Sequence, residues 1–293
     1  MSGLILINLC MISLFYRDWY SETGYSPAWA GSQWMGNDVF MSHDGSIRSP
    51  RIDLIYGITD YRLLVAFNIL VIFFALLTCL GLFTRFSSIM LALGIVSFHH
   101  RNAVILHGGD TVVRLGALYM AIAPSGAAFS LDRLIAVRKG LAPAIPPNVS
   151  LWPQRLIAYN CCLIYFTTTW AKLFGVLWRG GTATWYTARL HEFDRFPVPS
   201  FVNNFPFVYI STWATLGVEF ALGTLVWFKA LRKWVLLAGI MLHGYIDYSM
   251  NIPLFGYLMV SMYLAFYEGE EVTDWFDRLK VRFFKKPIAE AAS

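Results

Sequence analysis

The sequence predicts an all-α polytopic membrane helical bundle of about eight transmembrane helices, and three observations predict it. Of the 293 residues, 57% are hydrophobic and only 14% are charged, against roughly 45–50% and about 25% in soluble domains. The apolar residues fall into successive runs near the roughly 20 residues that a spanning helix needs. Lys and Arg gather in alternate connections between these runs, as in the cytoplasmic loops of membrane proteins. A soluble core cannot absorb this much apolar surface, so lipid must cover it.

The predicted runs are 1–18, 63–83, 86–106, 111–129, 154–177, 207–228, 233–250 and 252–267. Most are apolar all round, as expected where one face meets lipid and the other meets helices. In the first, Arg17 and Asp18 cut the apolar part to Gly3–Tyr16. At 1.5 Å per residue that covers about 21 Å of a core roughly 30 Å thick. This helix is expected to sit shallow or tilted, or to be completed by upstream residues. The bundle occupies 1–268 and a basic tail 269–293. In the tail Val272, Trp275, Phe276, Leu279 and Phe283 follow helical spacing and Lys285 and Lys286 close it. It reads either as a helix lying on an anionic leaflet or as a solvated tail.

Arg85, Arg133, Arg138, Lys139, Lys229, Arg232, Lys233 and the tail fall on one side. The short connections near 99–110 and 246–253, nearly free of Lys and Arg, fall on the other. Both termini and the 130–150 loop should therefore be cytoplasmic, with 20–60 and 178–204 facing outward. The net charge of +5 is a topology signal and not a nucleic-acid footprint. Cys10, Cys79, Cys161 and Cys162 all lie in apolar runs without CxxC spacing and read as small buried hydrophobes. No basic n-region or small-residue cleavage site marks a secretory signal.

Ionisable groups inside a bilayer are costly, so each is a functional candidate. Lys172 is the one lysine away from the cytoplasmic side, near the outer end of the fifth run and six residues before Trp178. It reads either as a snorkelling cation or as a desolvated amine able to act as base or nucleophile. Glu219 and His243 lie near the middles of the sixth and seventh runs. Asp247 follows His243 by four residues on the same helix face, where a carboxylate can hold an imidazole tautomer. These read as a catalytic group or as a structural clamp between helices. In HHRNAVILHGGDTVVR (99–114) adjacent histidines point apart, so no metal site is read. Asp110 is expected to cap the fourth helix with Thr111 beginning it, and to pair with Arg114. The loop 178–204 is long and aromatic, with Pro197 and Pro199 in it. It reads as a lid or as an interfacial cover.

The order HHRN–GGD, SLD (130–132), WxxRL (152–156), Lys172-Leu173 with Trp178, GTA (181–183), Glu219 and His243 resembles the HTTM (horizontally transferred transmembrane domain) family along residues 10–268. That family includes the membrane half of vitamin K-dependent γ-glutamyl carboxylase and the membrane protein that matures the sporulation-delaying toxin of bacilli. The resemblance implies that Lys172 matches the carboxylase's proposed base, which deprotonates a quinol. It also implies a quinone or quinol as cofactor, to which we assign Asp110, Arg114, Trp178 and Tyr186. The carboxylase's functional Asn-His before its fourth span is replaced here by Gly108-Gly109-Asp110. Its large lumenal part has no counterpart, so full carboxylase activity is not expected. Two classes stay open. One is a quinol-linked oxidoreductase or peptide-modifying enzyme acting on the outer face, with Lys172 as base and Glu219, His243 and Asp247 beside it. The other is a non-catalytic maturation, export or immunity partner of a small secreted peptide. A bacterial inner membrane is the expected location. A transporter is a weaker reading, since no pair of Gly/Pro-broken helices is present.

Overall fold

The computed structural model describes residues 1–25, 52–102, 105–190 and 195–284, with no β-strand among them. The helices are α1 (Ser2–Leu14), α2 (Tyr16–Tyr20), α3 (Tyr61–Leu80), α4 (Thr84–Arg101), α5 (Gly108–Ile122), α6 (Leu131–Arg138) and α7 (Trp152–Phe174). They continue as α8 (Val176–Arg179), α9 (Ala183–Thr187), α10 (Phe205–Thr224), α11 (Lys229–Ser249), α12 (Phe255–Met262) and α13 (Gly269–Phe284). A helix occupies each of the eight predicted runs. Two stretches, Tyr61–Leu80 and Phe205–Trp227, are long and apolar enough to cross a membrane on length and composition alone. The first helix is short, as its sequence predicts: α1 has 13 residues, about 20 Å at 1.5 Å each. Of the predicted tail, Lys285 and Lys286 lie outside the described residues, as do the side chains of Phe276, Leu279 and Phe283.

Helix pairing divides the bundle into two groups. In one, α3 packs between α1 and α4, and α4 packs on α5. In the other, α10 packs between α7 and α11, and α11 packs on α12. Contacts of α12 and α7 with α5 join the groups. Each helix of the second group buries one narrow stripe. Val208, Thr212, Leu216, Glu219 and Leu222 form that of α10, and Val235, Leu236, Gly239 and His243 follow the same spacing on α11. The opposite faces expose Leu163, Phe166, Trp170, Phe220, Trp234 and Met241. Water does not tolerate so continuous an apolar exterior.

Two connections are built by side chains. Arg101 ends α4 by turning its guanidinium onto the carbonyls of Ile55 and Ile58, 2.6 and 2.8 Å away. This explains why the predicted run 86–106 stops short as a helix. The start of α4 has no side-chain cap of its own; Phe83, at φ 47°, precedes it. Asp132 of α6 supplies the cap from a distance, accepting from the N–H groups of Phe83 and Thr84 and the Thr84 hydroxyl at 2.8–2.9 Å. Gly81 makes the interlock possible. Its φ of 68° closes α3, and a Cβ there would lie 2.5 Å from the Cβ of Ser130.

Burial pushes the Asp132 carboxyl upward, but the hydrogen bonds from Thr84 and Phe83 outweigh it and hold the group below its ordinary value. The folded value therefore lies beneath the unfolded one, about 3.9. The cap's contribution is complete above that pH and is lost as pH falls through the folded value. Asp132→Ala is expected to destabilise the protein by about 0.5–2 kcal/mol at neutral pH. The gap in Tm between variant and wild type should narrow on acidification toward pH 3. A gap that is constant with pH would remove the carboxylate from the explanation.

Candidate functional site

The side chains that carry chemistry converge within the second helix group. Lys172 lies one turn before the end of α7, and its ammonium forms an ion pair with Oε1 of Glu219 on α10. Glu219 is 5% exposed and the Lys172 side chain 26%. Lys172 is thus not a cation reaching out to the interface; it is the partner of a buried carboxylate.

The helix bearing Lys172 stops because of Gly175, whose extended backbone (ψ 131°) breaks α7 after Phe174. The chain then enters α8, and the Trp178 ring lies 4.9 Å from the Lys172 nitrogen. A continuous helix would carry Trp178 about 9 Å further along at 1.5 Å per residue; the break at Gly175 brings it over the lysine instead. Beyond it, α9 docks on α10. The Thr184 hydroxyl lies 2.8 Å from those of Ser211 and Thr212 and donates to the Val208 carbonyl. The predicted outer loop is therefore partly helical cover for the upper half of α10.

The second half of the site is a chain of rings. Nε2 of His243 on α11 lies 2.6 Å from the Tyr165 hydroxyl of α7, and that hydroxyl lies 2.7 Å from the Tyr263 hydroxyl. Tyr165, Thr169 and Lys172 share one face of α7 at spacings of four and seven residues. This joins the two halves on one helix. Gly239 admits Tyr263: a Cβ there would lie 2.5 Å from the Tyr263 oxygen. Gly239→Ala should therefore displace Tyr263 while favouring the helix itself by roughly 0.5–1 kcal/mol. The expected result is impaired activity with a lowered Tm, because overpacking and the lost Tyr165–Tyr263 bond outweigh the helix gain. Full activity would mean that the Tyr263 contact is dispensable.

Two buried polar atoms of this cluster have no partner among the described residues, Oε2 of Glu219 and Nδ1 of His243. Unsatisfied buried groups are rare, and at functional sites they mark positions a ligand completes. A hydroxyl-bearing molecule fits both: a carboxylate oxygen accepts a proton, and an imidazole nitrogen accepts or donates according to tautomer.

The other predicted residues lie elsewhere. Asp247 does not orient His243. Its carboxylate pairs with Arg195 at 2.7 Å, which ties the outer loop to the end of α11. Tyr248 reinforces this tie by donating to the Pro197 carbonyl. Asp110 belongs to the first helix group and does not begin α5. The helix starts earlier, capped by His107, whose ring accepts from Gly109 N–H while Asp110 accepts from His107 N–H at 2.8 Å. Arg114 makes no ion pair with Asp110, which is committed to that capping box. Tyr186 is 48% exposed and packs edge-on against Trp185, with no contact to Lys172. Of the four residues expected to bind a cofactor, only Trp178 joins the cluster. Glu192 and Asp194 of the outer loop lie outside the described residues. Tyr165 and Tyr263 were missed, although a tyrosine inside an apolar run needs a partner for its hydroxyl.

Comparison with known proteins gives one match, the HTTM domain, over residues 42–275. No curated protein and no solved structure matches the chain.

Proposed function

The chain belongs to the HTTM family of membrane proteins, and from that premise we propose a polytopic enzyme with an acid–base site between its helices. In this reading all eight principal helices cross the membrane, both termini are cytoplasmic, and the membrane is a bacterial inner one. The activity is that of a quinol-linked oxidoreductase or peptide-modifying enzyme, as the resemblance to the membrane half of vitamin K-dependent carboxylase implies. One observation carries it. The Lys172–Glu219 ion pair and the His243–Tyr165–Tyr263 chain are buried together with one unpartnered oxygen and one unpartnered nitrogen.

A quinol would supply ionisable ring hydroxyls and a pair of electrons. The residues supply the proton acceptors. Oε2 of Glu219 takes a proton from substrate while Lys172 keeps its positive charge beside the anion left behind. Trp178 covers the ammonium and limits water around it. Lys172 is then the electrostatic partner of the base, and Glu219 the base itself.

Turnover of a long-chain hydroquinone by the protein in nanodiscs tests this assignment. Lys172→Ala should abolish it and Lys172→Arg should keep a substantial part, because arginine retains the charge but does not deprotonate. Equal loss in both variants would return the role of base to Lys172. Full activity in both would remove the pair from the mechanism.

A second reading, a non-catalytic partner for a secreted peptide, is favoured by one surface. Trp185, Tyr186, Phe196, Phe201 and Phe205 are exposed around the α9–α10 end, where an extended peptide could lie. A short secreted-peptide gene beside this one, with no hydroquinone turnover, would support it. At the opposite end Arg232–Glu271 and Lys229–Glu268 pairs fasten the start of α13 to α11. This suits a tail held against an anionic leaflet.

A further inference from the structure

The WxxRL stretch (152–156) has no part in the acid–base cluster, and the structure turns it outward at the start of α7. Pro153 is buried and Gln154 donates to the carbonyls of Ala265 and Tyr267, which fixes the opposite side of the helix against the bundle. Trp152, Arg155, Tyr159, Leu163 and Phe166 follow one another at spacings of three and four residues, so they share one face, and all five are exposed. At the Arg155 end of this face lies a groove of about 730 Å³, lined by Ser150, Leu151, Trp152, Arg155, Leu156 and Tyr159 among others. Tyr159 is braced by Trp227, with ring centroids 5.0 Å apart. Among the described residues the Arg155 guanidinium has neither an ion pair nor a hydrogen bond, and no Asp or Glu lines the groove. Other cations at this end of the bundle are taken: Arg133 by the carbonyls of Pro143 and Ile145, Lys229 and Arg232 by carboxylates.

We propose that this face of α7 is a binding site for an anionic phospholipid, with Arg155 on the phosphate and an acyl chain running over Tyr159, Leu163 and Phe166. The proposal goes beyond the acid–base reading and needs only that α7 crosses the bilayer. Each part of the ligand follows from the surface. A guanidinium presents a planar fork of donors that matches phosphate oxygens. Trp152 and Tyr159 flank it as rings do at the headgroup level. From Arg155 to Phe166 the helix rises about 16 Å at 1.5 Å per residue, close to half of a hydrocarbon core roughly 30 Å thick, which is the reach of one leaflet's chain. A free phosphate would leave this apolar stripe unused. A zwitterionic headgroup brings its own ammonium, for which the groove has no carboxylate. A headgroup of net negative charge leaves nothing unpaired and neutralises Arg155, and the Ser150 hydroxyl gives its polar end a further hydrogen-bonding group.

The probes are phosphatidylglycerol and phosphatidylcholine bearing the same photoreactive diazirine on one chain. They are added to the whole protein in detergent, with retained lipid counted by native mass spectrometry and labelled peptides mapped. Phosphatidylglycerol should be retained with roughly tenfold higher affinity, a difference of about 1.4 kcal/mol, and should label 149–166. Arg155→Gln should remove that preference, and the exposed position makes the variant mild for folding. Lys139→Gln, which removes another exposed cation, should leave the preference intact. Equal retention of the two lipids, labelling elsewhere, an undiminished preference in Arg155→Gln or an equal loss in Lys139→Gln each overturns the proposal. Displacement of the lipid by glycerol phosphate at equal concentration would make the groove a site for a free anion. A lipid-free dimer that hides 149–166 would make it an interface between copies; either result also overturns it. If Arg155→Gln does not fold, the comparison of the two lipids and the wild-type map still decide. A diazirine probe with no headgroup separates the site from its premise. It should label 163–166 in wild type and Arg155→Gln alike. Its failure there would overturn the membrane span of α7 and the site with it, whereas its success without a phosphatidylglycerol preference would sink the site alone.

Discussion

Lys172→Met is expected to lower the stability of the protein by about 3 kcal/mol, the lower end of what breaking one side of a buried ion pair costs. The reason lies in Glu219. Its carboxylate is almost wholly buried, one oxygen is held by Lys172, and the other has no partner among the described residues. Removing the lysine leaves a charge that must be neutralised by protonation or reached by water, and either outcome weakens helix packing. The double variant Lys172→Met/Glu219→Leu should recover most of the loss, since an apolar pair of similar volume carries no desolvation penalty. Thermal unfolding in detergent, with both single variants and the double, completes the cycle. Additive losses would mean that the two residues do not interact in the protein as it folds.

Tyr165→Phe should have the larger effect on activity, a fall of about 10²–10⁴-fold if proton transfer through this group is part of the chemistry. Its hydroxyl is the one atom shared by the His243 and Tyr263 hydrogen bonds. Phenylalanine keeps the ring and its packing but leaves Nε2 of His243 and the Tyr263 hydroxyl unsatisfied. Destabilisation of about 1–3 kcal/mol follows from that alone. The two effects are separable because Tyr263→Phe leaves the His243–Tyr165 contact in place. It should cost stability similarly while sparing more of the activity. Equal activity losses in the two variants would make the ring chain a structural clamp.

The helices were legible because their apolar runs approach the length of a span, and Lys172, Glu219 and His243 because ionisable groups are conspicuous in such runs. The connections between them were less so. A carboxylate four residues from a histidine satisfies the helical rule as well as Asp247 does. Arg195, distant in sequence but adjacent in space, claims it instead. Local spacing likewise suggested Asp110 as a cap, yet the ring of His107 fills that role. Gly175 reads as an unremarkable glycine until the fold shows that the helix breaks there and Trp178 comes to lie against the ammonium. Tyr165 and Tyr263 are hydrophobic by composition, so only the packed structure separates their hydroxyls from the other tyrosines of the apolar runs. The cap that Asp132 supplies to α4 is long-range in the same sense.

The central claim is that Glu219, held by Lys172, is the proton acceptor of a membrane-embedded reaction. Hydroquinone turnover by Glu219→Gln in nanodiscs tests it most directly, because glutamine keeps the shape and an oxygen acceptor for Lys172 but does not take up a proton. The predicted result is a loss of at least about 10²-fold in a protein that still folds. Turnover at the wild-type rate would contradict the account.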